Sequence, residues 1–306
     1  MFIYKIDKII GKLYKRIFPE QVRGIVFMLH RVSDKVEEKL FANENMKIPP
    51  LVFQKQIQQI KSKYNIISIW DINKYHNKSK PFAVITFDDG YKDNYLNAHP
   101  ILCNEKVPYT IFATKDFLDQ KAVLWWYVLE DLLLQNDSIT LSDGSSYLCK
   151  DKKDKESVFL EIRDKILCLN QTKLLEELQS LFSNYSIDWY GKNKELCLNW
   201  DDYSYMVDSP YVTFGDHTKH HFNLKKLETT GLVVQEIFDG QVSSRKKRVL
   251  AYPFGTDNEV SLREEKIAKK LKYKYAFVSY GGEISNYSLL NKYALPRVML
   301  TEDTII

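Results

Sequence analysis

Several protein classes are excluded by what the sequence lacks. It has only four cysteines, Cys103, Cys149, Cys168 and Cys197, and none stand as a Cys-x-x-Cys pair. A structural zinc ribbon is therefore unsupported, and reduced, mostly buried thiols of a cytoplasmic protein are expected. No stretch is long and apolar enough to span a bilayer. The first residues, "MFIYKIDKIIGKLYKRIF", lack the unbroken apolar core and small-residue cleavage site of a secretory signal. Charge of one sign is not in excess either. With 44 basic and 40 acidic residues, the formal net charge is +4, too mild to argue for nucleic acid. The one dense basic run, "SSRKKRVL" from Ser243 to Leu250, precedes an apolar strand and reads as a solvated loop. There is no internal repeat and no low-complexity tract.

What is present is ample apolar material. At 306 residues and 44% hydrophobic content, the chain can bury a sizeable core in one large domain or two small ones. Near the N-terminus, Phe2, Ile6, Ile9, Leu13 and Ile17 recur at helical spacing. Lys5, Lys8, Lys12, Lys15 and Arg16 lie largely between them, so residues 1–18 form a basic amphipathic helix. It can lie on the anionic inner surface of a membrane or pack on its own domain, and both uses stay open.

Downstream, apolar strands alternate with helical patterns. "GIVFMLHRV" (Gly24 to Val32), "FAVITF" (Phe82 to Phe87) and "PYTIFAT" (Pro108 to Thr114) read as buried strands. Between the first two, Phe53, Ile57 and Ile60 mark one face of a helix. Such alternation predicts a parallel sheet with helical crossovers. From about residue 115 to 210 the texture becomes helical, in "VLWWYVLEDLLL", "SVFLEIRDKILCL" and "KLLEELQSLF". A charged, turn-rich piece, "SDGSSYLCKDKKDKE", separates the first two of these. No Pro- or Gly-rich linker flanks the region, so it reads as an insertion into a single domain spanning 24–306. Alternation then resumes: "YVTFGD" as strand, "LKKLETTG" as a helix stopped by glycine, then the strands "RVLA", "YAFVSYGG" and "YALPRVML".

In a parallel α/β sheet or barrel, residues just past the strands' C-terminal ends converge on one face. Asp88 and Asp89 end one strand, His217 and His221 follow another, and the turn "YPFG" follows a third. On a helical turn, two histidines four apart present both rings on one side. Two imidazoles and one carboxylate make a three-ligand metal site with room for water, which is a catalytic pattern. One aspartate binds the cation, whose charge lets its neighbour stay ionised as a general base. Backbone N–H of Phe254 or Gly255 can stabilise an oxyanion. His30, ending another buried strand, is the spare histidine placed to act as general acid. Asp-Asp-Gly alone is a common turn, and His217 and His221 alone could be surface histidines. Their joint appearance at consecutive strand ends carries the reading. His220 is expected to face solvent or pack, His99 to be structural, and His76 carries no signal.

These residues resemble a known family. "TFDDGY" (Thr86 to Tyr91), "HTKHH" and "AYPFG" resemble the first three motifs of the polysaccharide deacetylases, the NodB-homology carbohydrate esterases. The likeness runs from about residue 24 to 300, interrupted by the insertion. It implies a distorted (β/α) barrel and metal-dependent removal of an N-acetyl group from an amino sugar. Carried over by residue, Asp88 is the general base. Asp89, His217 and His221 hold one divalent metal ion, usually Zn2+, and Phe254 gives the oxyanion donor. Three departures stand out: Ala251 replaces the third-motif arginine, no Asp-x-x-Asp-Trp run follows, and the C-terminal Leu-x-His is absent. "FMLHRV" resembles the first strand of circularly permuted members, which gives His30 the acid's role. Arg297 in "LPRVML" is the residue to stand in for the missing arginine on the same face. Tyr91, Tyr252, Trp125 and Arg297 are assigned to substrate, with Trp125, Trp126 and Tyr127 offering aromatic faces to sugar rings.

The expected function is N-deacetylation in surface-glycan assembly (capsule, O-antigen or lipid-linked saccharide). The expected partner is an N-acetylated saccharide, polymeric, lipid-linked or nucleotide-linked, in the cytoplasm or at the inner membrane surface. O-acetyl esterase, deformylase, ferrous oxygenase and glycan-binding pseudoenzyme are the competing readings. No nucleic-acid partner is expected, and nothing in the sequence sets the oligomeric state.

Overall fold

A computed structural model describes residues 22–75, 80–243 and 247–306. The expected helix over residues 1–18, His76 and residues 244–246 of the basic run lie outside the described residues.

Thirteen strands occur among the described residues. In chain order they are β1 (Val22–Leu29), β2 (Arg31–Val32), β3 (Lys47–Ile48), β4 (Asn65–Ile66), β5 (Phe82–Asp89) and β6 (Tyr109–Ala113). There follow β7 (Ser138–Thr140), β8 (Ser146–Leu148), β9 (Val212–Asp216), β10 (Val249–Ala251), β11 (Tyr275–Gly281), β12 (Ile284–Ser285) and β13 (Leu295–Met299). Seven of them run in the order β1-β13-β11-β10-β9-β6-β5, and β5 pairs back onto β1. The result is a closed parallel barrel surrounded by helices. β4 extends the sheet beyond β5, and β12 pairs antiparallel with the start of β1.

Register brings the site together. Asp89 lies opposite Ala113, Ala113 opposite Asp216, and Asp216 opposite Leu250. On the other side, Met28 pairs with both Thr86 and Met299. The C-terminal ends of all these strands therefore share one rim, as parallel pairing requires.

Strand β5 is buried at every position because both of its faces are covered. Ala83, Ile85 and Phe87 pack outward with Phe53, Ile57 and Ile60 of helix Pro50–Lys63. Phe82 and Val84 face the barrel interior with Phe112, Val249, Tyr275, Phe277 and Leu295. The two-residue period of a strand thus sends Thr86 and Asp88 inward. Phe53, fully buried between layers, is a position where truncation to alanine would cost about 3–5 kcal/mol.

Between β6 and β9 lies the helical insertion. Leu129, Leu133, Phe159, Ile162, Leu178 and Phe182 form an apolar cluster of its own. Its return is tied to the rim by a Leu198 N–H bond to the Gly90 carbonyl (3.0 Å) and by a bridge between Tyr91 and Cys197.

Several local expectations are corrected. "LKKLETTG" is not a helix: Leu224–Lys226 is one short turn, and the helix is Thr230–Asp239. Its N-cap is Thr229, whose side chain accepts from Leu232 N–H, so Gly231 sits in the first turn and Gly240 makes the stop. The turn-rich "SDGSSYLCK" joins a hairpin, β7–β8. Residues 217–221 are not helical, since Thr218 and His221 adopt left-handed backbone (φ 66° and 62°). All four cysteines are free, but only Cys149 and Cys197 are buried, and Cys168 is exposed. None of the described helices is long and apolar enough to cross a membrane.

Candidate active site

Three side chains converge at the rim. Asp89 Oδ1 lies 3.2 Å from Nε2 of His217 and 3.2 Å from Nε2 of His221. One donor atom from each residue lies within 4.8 Å of the other two, a group able to hold a metal ion. His217 Nδ1–H donates to the Ala251 carbonyl at 2.8 Å, leaving Nε2 with its lone pair aimed at Asp89. Asp89 Oδ1 is buried and, despite these close approaches, has no partner with hydrogen-bond geometry. His221 Nδ1 is buried without a partner, so its Nε2 too is free to present a lone pair, and three such atoms around one point are an arrangement a cation relieves. The donor set, two imidazoles and a carboxylate, suits zinc with a position left open.

Backbone strain concentrates here. Seven non-glycine residues among those described have positive φ, and four of them are Asp89, Thr218, His221 and Phe254. Each left-handed position costs about 1–3 kcal/mol and survives where its surroundings dictate it. At Asp89 (φ 72°) the turn breaks strand alternation and swings the carboxylate toward the histidines instead of outward.

Asp88 keeps the strand's inward direction and meets Arg297. The guanidinium reaches both carboxylate oxygens, Nη1 to Oδ1 and Nη2 to Oδ2, each at 2.6 Å. Its Nε donates to the Val278 carbonyl (3.1 Å), and its plane lies over Phe112. Burial alone would push the Asp88 carboxyl up. Arg297 and His217 outweigh it and hold the group below its ordinary value. Asp89 is likewise driven up by burial but held well below its usual range by His221 and His217. Burial presses His217 down, yet Asp88 and Asp89 prevail and raise it, so the pocket favours positive charge at this spot. For His30 burial wins, and its pKa falls despite the two aspartates.

The cleft over these groups has a volume of about 550 Å³ and is lined by residues of the barrel rim and of the insertion. That size is ordinary for a small-molecule site. His30, Asp88, Asp89, Tyr91, Trp125, His217, His221 and Phe254 all face it. Trp126 donates from Nε1 to Tyr91 Oη (3.2 Å), and its ring lies 5.7 Å from that of His221. Trp125 contributes to the wall but is 4% exposed and packs chiefly within the insertion.

Two residues assigned to substrate are elsewhere. Tyr252 does not line the cleft; it is buried among Val260, Ile267 and Tyr273, and its hydroxyl donates to the Tyr293 carbonyl (3.0 Å). Strand alternation after Ala251 turns it outward, whereas the left-handed Phe254 returns to the rim. Arg297 is fully enclosed behind Asp88 and holds that carboxylate, taking no place in the cleft wall.

A buried latch that sequence reasoning missed joins insertion and barrel. Arg31 bonds Asp93 (2.7 Å) and Tyr127 Oη (2.9 Å), and stands over the rings of Tyr91 and Tyr127. Asp93 also accepts Val32 N–H, and Asn94 donates to the His30 carbonyl, so the backbone beside His30 is pinned to the turn after Asp89. No spacing in the sequence signals these contacts, because the partners lie 62 and 96 residues apart.

The chain is a closed parallel (β/α) barrel whose C-terminal rim carries two carboxylates and two imidazoles, three of them placed so that they could hold a metal ion. A sequence profile of the polysaccharide deacetylase family matches residues 75–276, about two thirds of the chain. The chain belongs to this family, which acts on polysaccharide substrates and is generally metal-dependent. Membership makes it a hydrolytic enzyme acting on acetyl groups.

Solved structures share the fold. The deacetylase PplD of Streptococcus pyogenes, in complex with acetate, is 18% identical with TM-score 0.58, covering 92% of this chain and 94% of that one. A de-N-acetylase from Aggregatibacter actinomycetemcomitans is 16% identical with TM-score 0.56, covering 92% and 96%. IcaB from Ammonifex degensii is 15% identical with TM-score 0.54, covering 93% and 94%. No curated protein matches the sequence significantly.

Proposed function

We propose that the protein is a metal-dependent carbohydrate N-deacetylase that removes acetyl from an N-acetylated amino sugar during surface-glycan assembly. The observation that carries this reading is the convergence of Asp89, His217 and His221 donor atoms beside an aspartate held separately by an arginine. Asp89 and the two imidazoles would hold one divalent ion, with Zn2+ favoured by the donor set. Such an ion polarises a carbonyl and acidifies water.

The chain's own groups divide the remaining work. Asp88 takes the proton of the attacking water, and Arg297 keeps it ionised and oriented for that purpose. The Phe254 backbone N–H donates to the oxyanion that develops on the acetyl carbonyl. His30 gives its proton to the departing amine; its lowered pKa makes it a strong donor once charged, and both aspartates favour that charged state. The products are acetate and a free amino sugar. Trp126 offers an apolar face for the sugar ring, and Tyr91, 4% exposed and covered by Arg31, holds the Trp126 Nε1–H. Acetate bound to PplD and the N-acetyl activity named for the Aggregatibacter protein support the bond assignment.

The test is a panel of nucleotide-linked, lipid-linked and polymeric N-acetyl sugars, with acetate, formate and free amine measured together. Acetate and amine should appear in equal amounts, stop on chelation and return with zinc. Acetate without amine would replace this reading with O-ester hydrolysis, and formate would replace it with deformylation. Product formation that survives both exhaustive chelation and the Asp88→Asn change would overturn it.

A further inference from the structure

The loop that carries both imidazoles is shaped from behind, by a helix that contributes nothing to the cleft. Thr218 and His221 adopt left-handed backbone, and Thr218 is β-branched, a poor candidate for that region. What holds them is Glu236 on helix Thr230–Asp239, a carboxylate that is 4% exposed. Its Oε1 accepts the backbone N–H of Lys219 at 3.1 Å and of His220 at 2.7 Å. Its Oε2 lies 2.6 Å from Nδ1 of His220. The Glu236 main-chain carbonyl accepts the same Lys219 N–H at 3.2 Å. On the loop's other edge, Lys115 and Asp116 donate N–H to the carbonyls of Thr218 and Lys219 (3.1 and 3.0 Å). Gly240 completes the cradle, since a Cβ there would stand 2.1 Å from the Thr218 carbonyl carbon.

We propose that Glu236 is a positioning residue for the metal ligands. By satisfying the two inner N–H groups of the loop and clamping the His220 ring, it pre-forms the turn in which His217 and His221 meet Asp89. His220 packs, as expected, with its ring stacked on Phe222 (4.7 Å) and its side chain about a third exposed, and it is also the handle by which the loop is gripped. The inference rests on the reading of Asp89, His217 and His221 as the metal site. Partners behind the ligands commonly set metal affinity by about 10- to 100-fold.

The experiment measures zinc affinity of the metal-free full chain by competition with a chromophoric chelator, alongside thermal melting. Wild type should bind one zinc per chain. Glu236→Ala should bind 10- to 100-fold more weakly. Glu236→Gln, whose amide oxygen can still accept both N–H groups, should stay within about threefold of wild type. Thr229→Ala removes the cap of the same helix without touching the loop, so it should lower the melting temperature and leave zinc affinity unchanged. If Glu236→Ala does not fold, Glu236→Asp decides: one methylene short of both N–H groups, it should bind zinc at least threefold more weakly. Wild-type affinity in a folded Glu236→Ala or Glu236→Asp protein, or an equal loss in Thr229→Ala, overturns the inference while the metal site stands. No zinc bound by wild type overturns the metal reading, and this inference with it.

Discussion

Replacing Arg297 with methionine removes the charge from a buried pair while keeping much of the side-chain volume. Arg297 and Asp88 have side-chain exposures of 0% and 5%, so neither has water to fall back on. Breaking such a pair typically costs about 3–5 kcal/mol. An independent estimate comes from proton linkage. Left without its partner, Asp88 escapes the burial penalty by taking a proton in the folded state. From an unfolded value of ~3.9, holding that proton at neutral pH costs ~1.36 kcal/mol per unit, at most about 4 kcal/mol, because His217 and His30 still favour the ionised carboxylate. At 306 residues and ~2.1 cal/mol/K per residue, that is a fall of roughly 6 °C in melting temperature.

The pH dependence separates this account from lost packing. In the wild type Asp88 is held below its ordinary value, so its contribution is present above ~3.9 and disappears as pH falls through the folded value. In Arg297→Met the folded value lies above the unfolded one, so the folded state carries the extra proton and stability falls as pH rises above ~3.9. The deficit relative to wild type should therefore shrink by up to about 2.7 kcal/mol, or about 4 °C, between neutral pH and two units lower. Calorimetry on metal-free protein at the two pH values measures it. A deficit that stays constant within about 1 °C refutes the reasoning, because a packing defect has no reason to titrate.

Other outcomes follow from the site. Asp88→Asn should abolish turnover and retain metal, whereas His217→Ala should lose both, as read by product release and elemental analysis. His30→Ala should lower turnover by about 10²- to 10⁴-fold with metal content unchanged; full activity would remove His30 from the mechanism. Trp126→Ala should raise KM about tenfold with a smaller effect on kcat, if loss of an aromatic face costs ~1.4 kcal/mol of sugar binding. A change confined to kcat would deny it that role.

The competing reading as a pseudoenzyme rested on Ala251, where the family motif carries an arginine. The three-dimensional arrangement removes that objection, since a guanidinium reaches both Asp88 oxygens from a different strand. Arg297 sits 209 residues from its partner and is adjacent to it only because β13 closes the ring between β1 and β11. The charge expected from the motif arginine is thus supplied to Asp88 from a different sequence position.

The sequence by itself determined the elements whose signals are local. Continuous apolar runs marked the barrel strands, carboxylates and histidines at their ends marked the rim, and the change of texture near residues 115 and 210 marked an insertion that in fact lies between β6 and β9. Local rules failed where two readings of one segment compete. "LKKLETTG" carries helical spacing, but the Thr229 cap and the Gly240 stop set the helix one segment later. His217 and His221 converge through two left-handed residues, not through a helical turn, and that conformation is imposed by Glu236 and Gly240 from outside the motif. Tertiary structure alone decided that Tyr252 is core, that Arg31 fastens the insertion to the rim, and that Arg297, offered by the sequence as the stand-in for the missing arginine, reaches both Asp88 oxygens and not the cleft. Each depends on ring closure and strand register, which are long-range pairings, and a one-residue shift in register would reverse which side chains face the cleft.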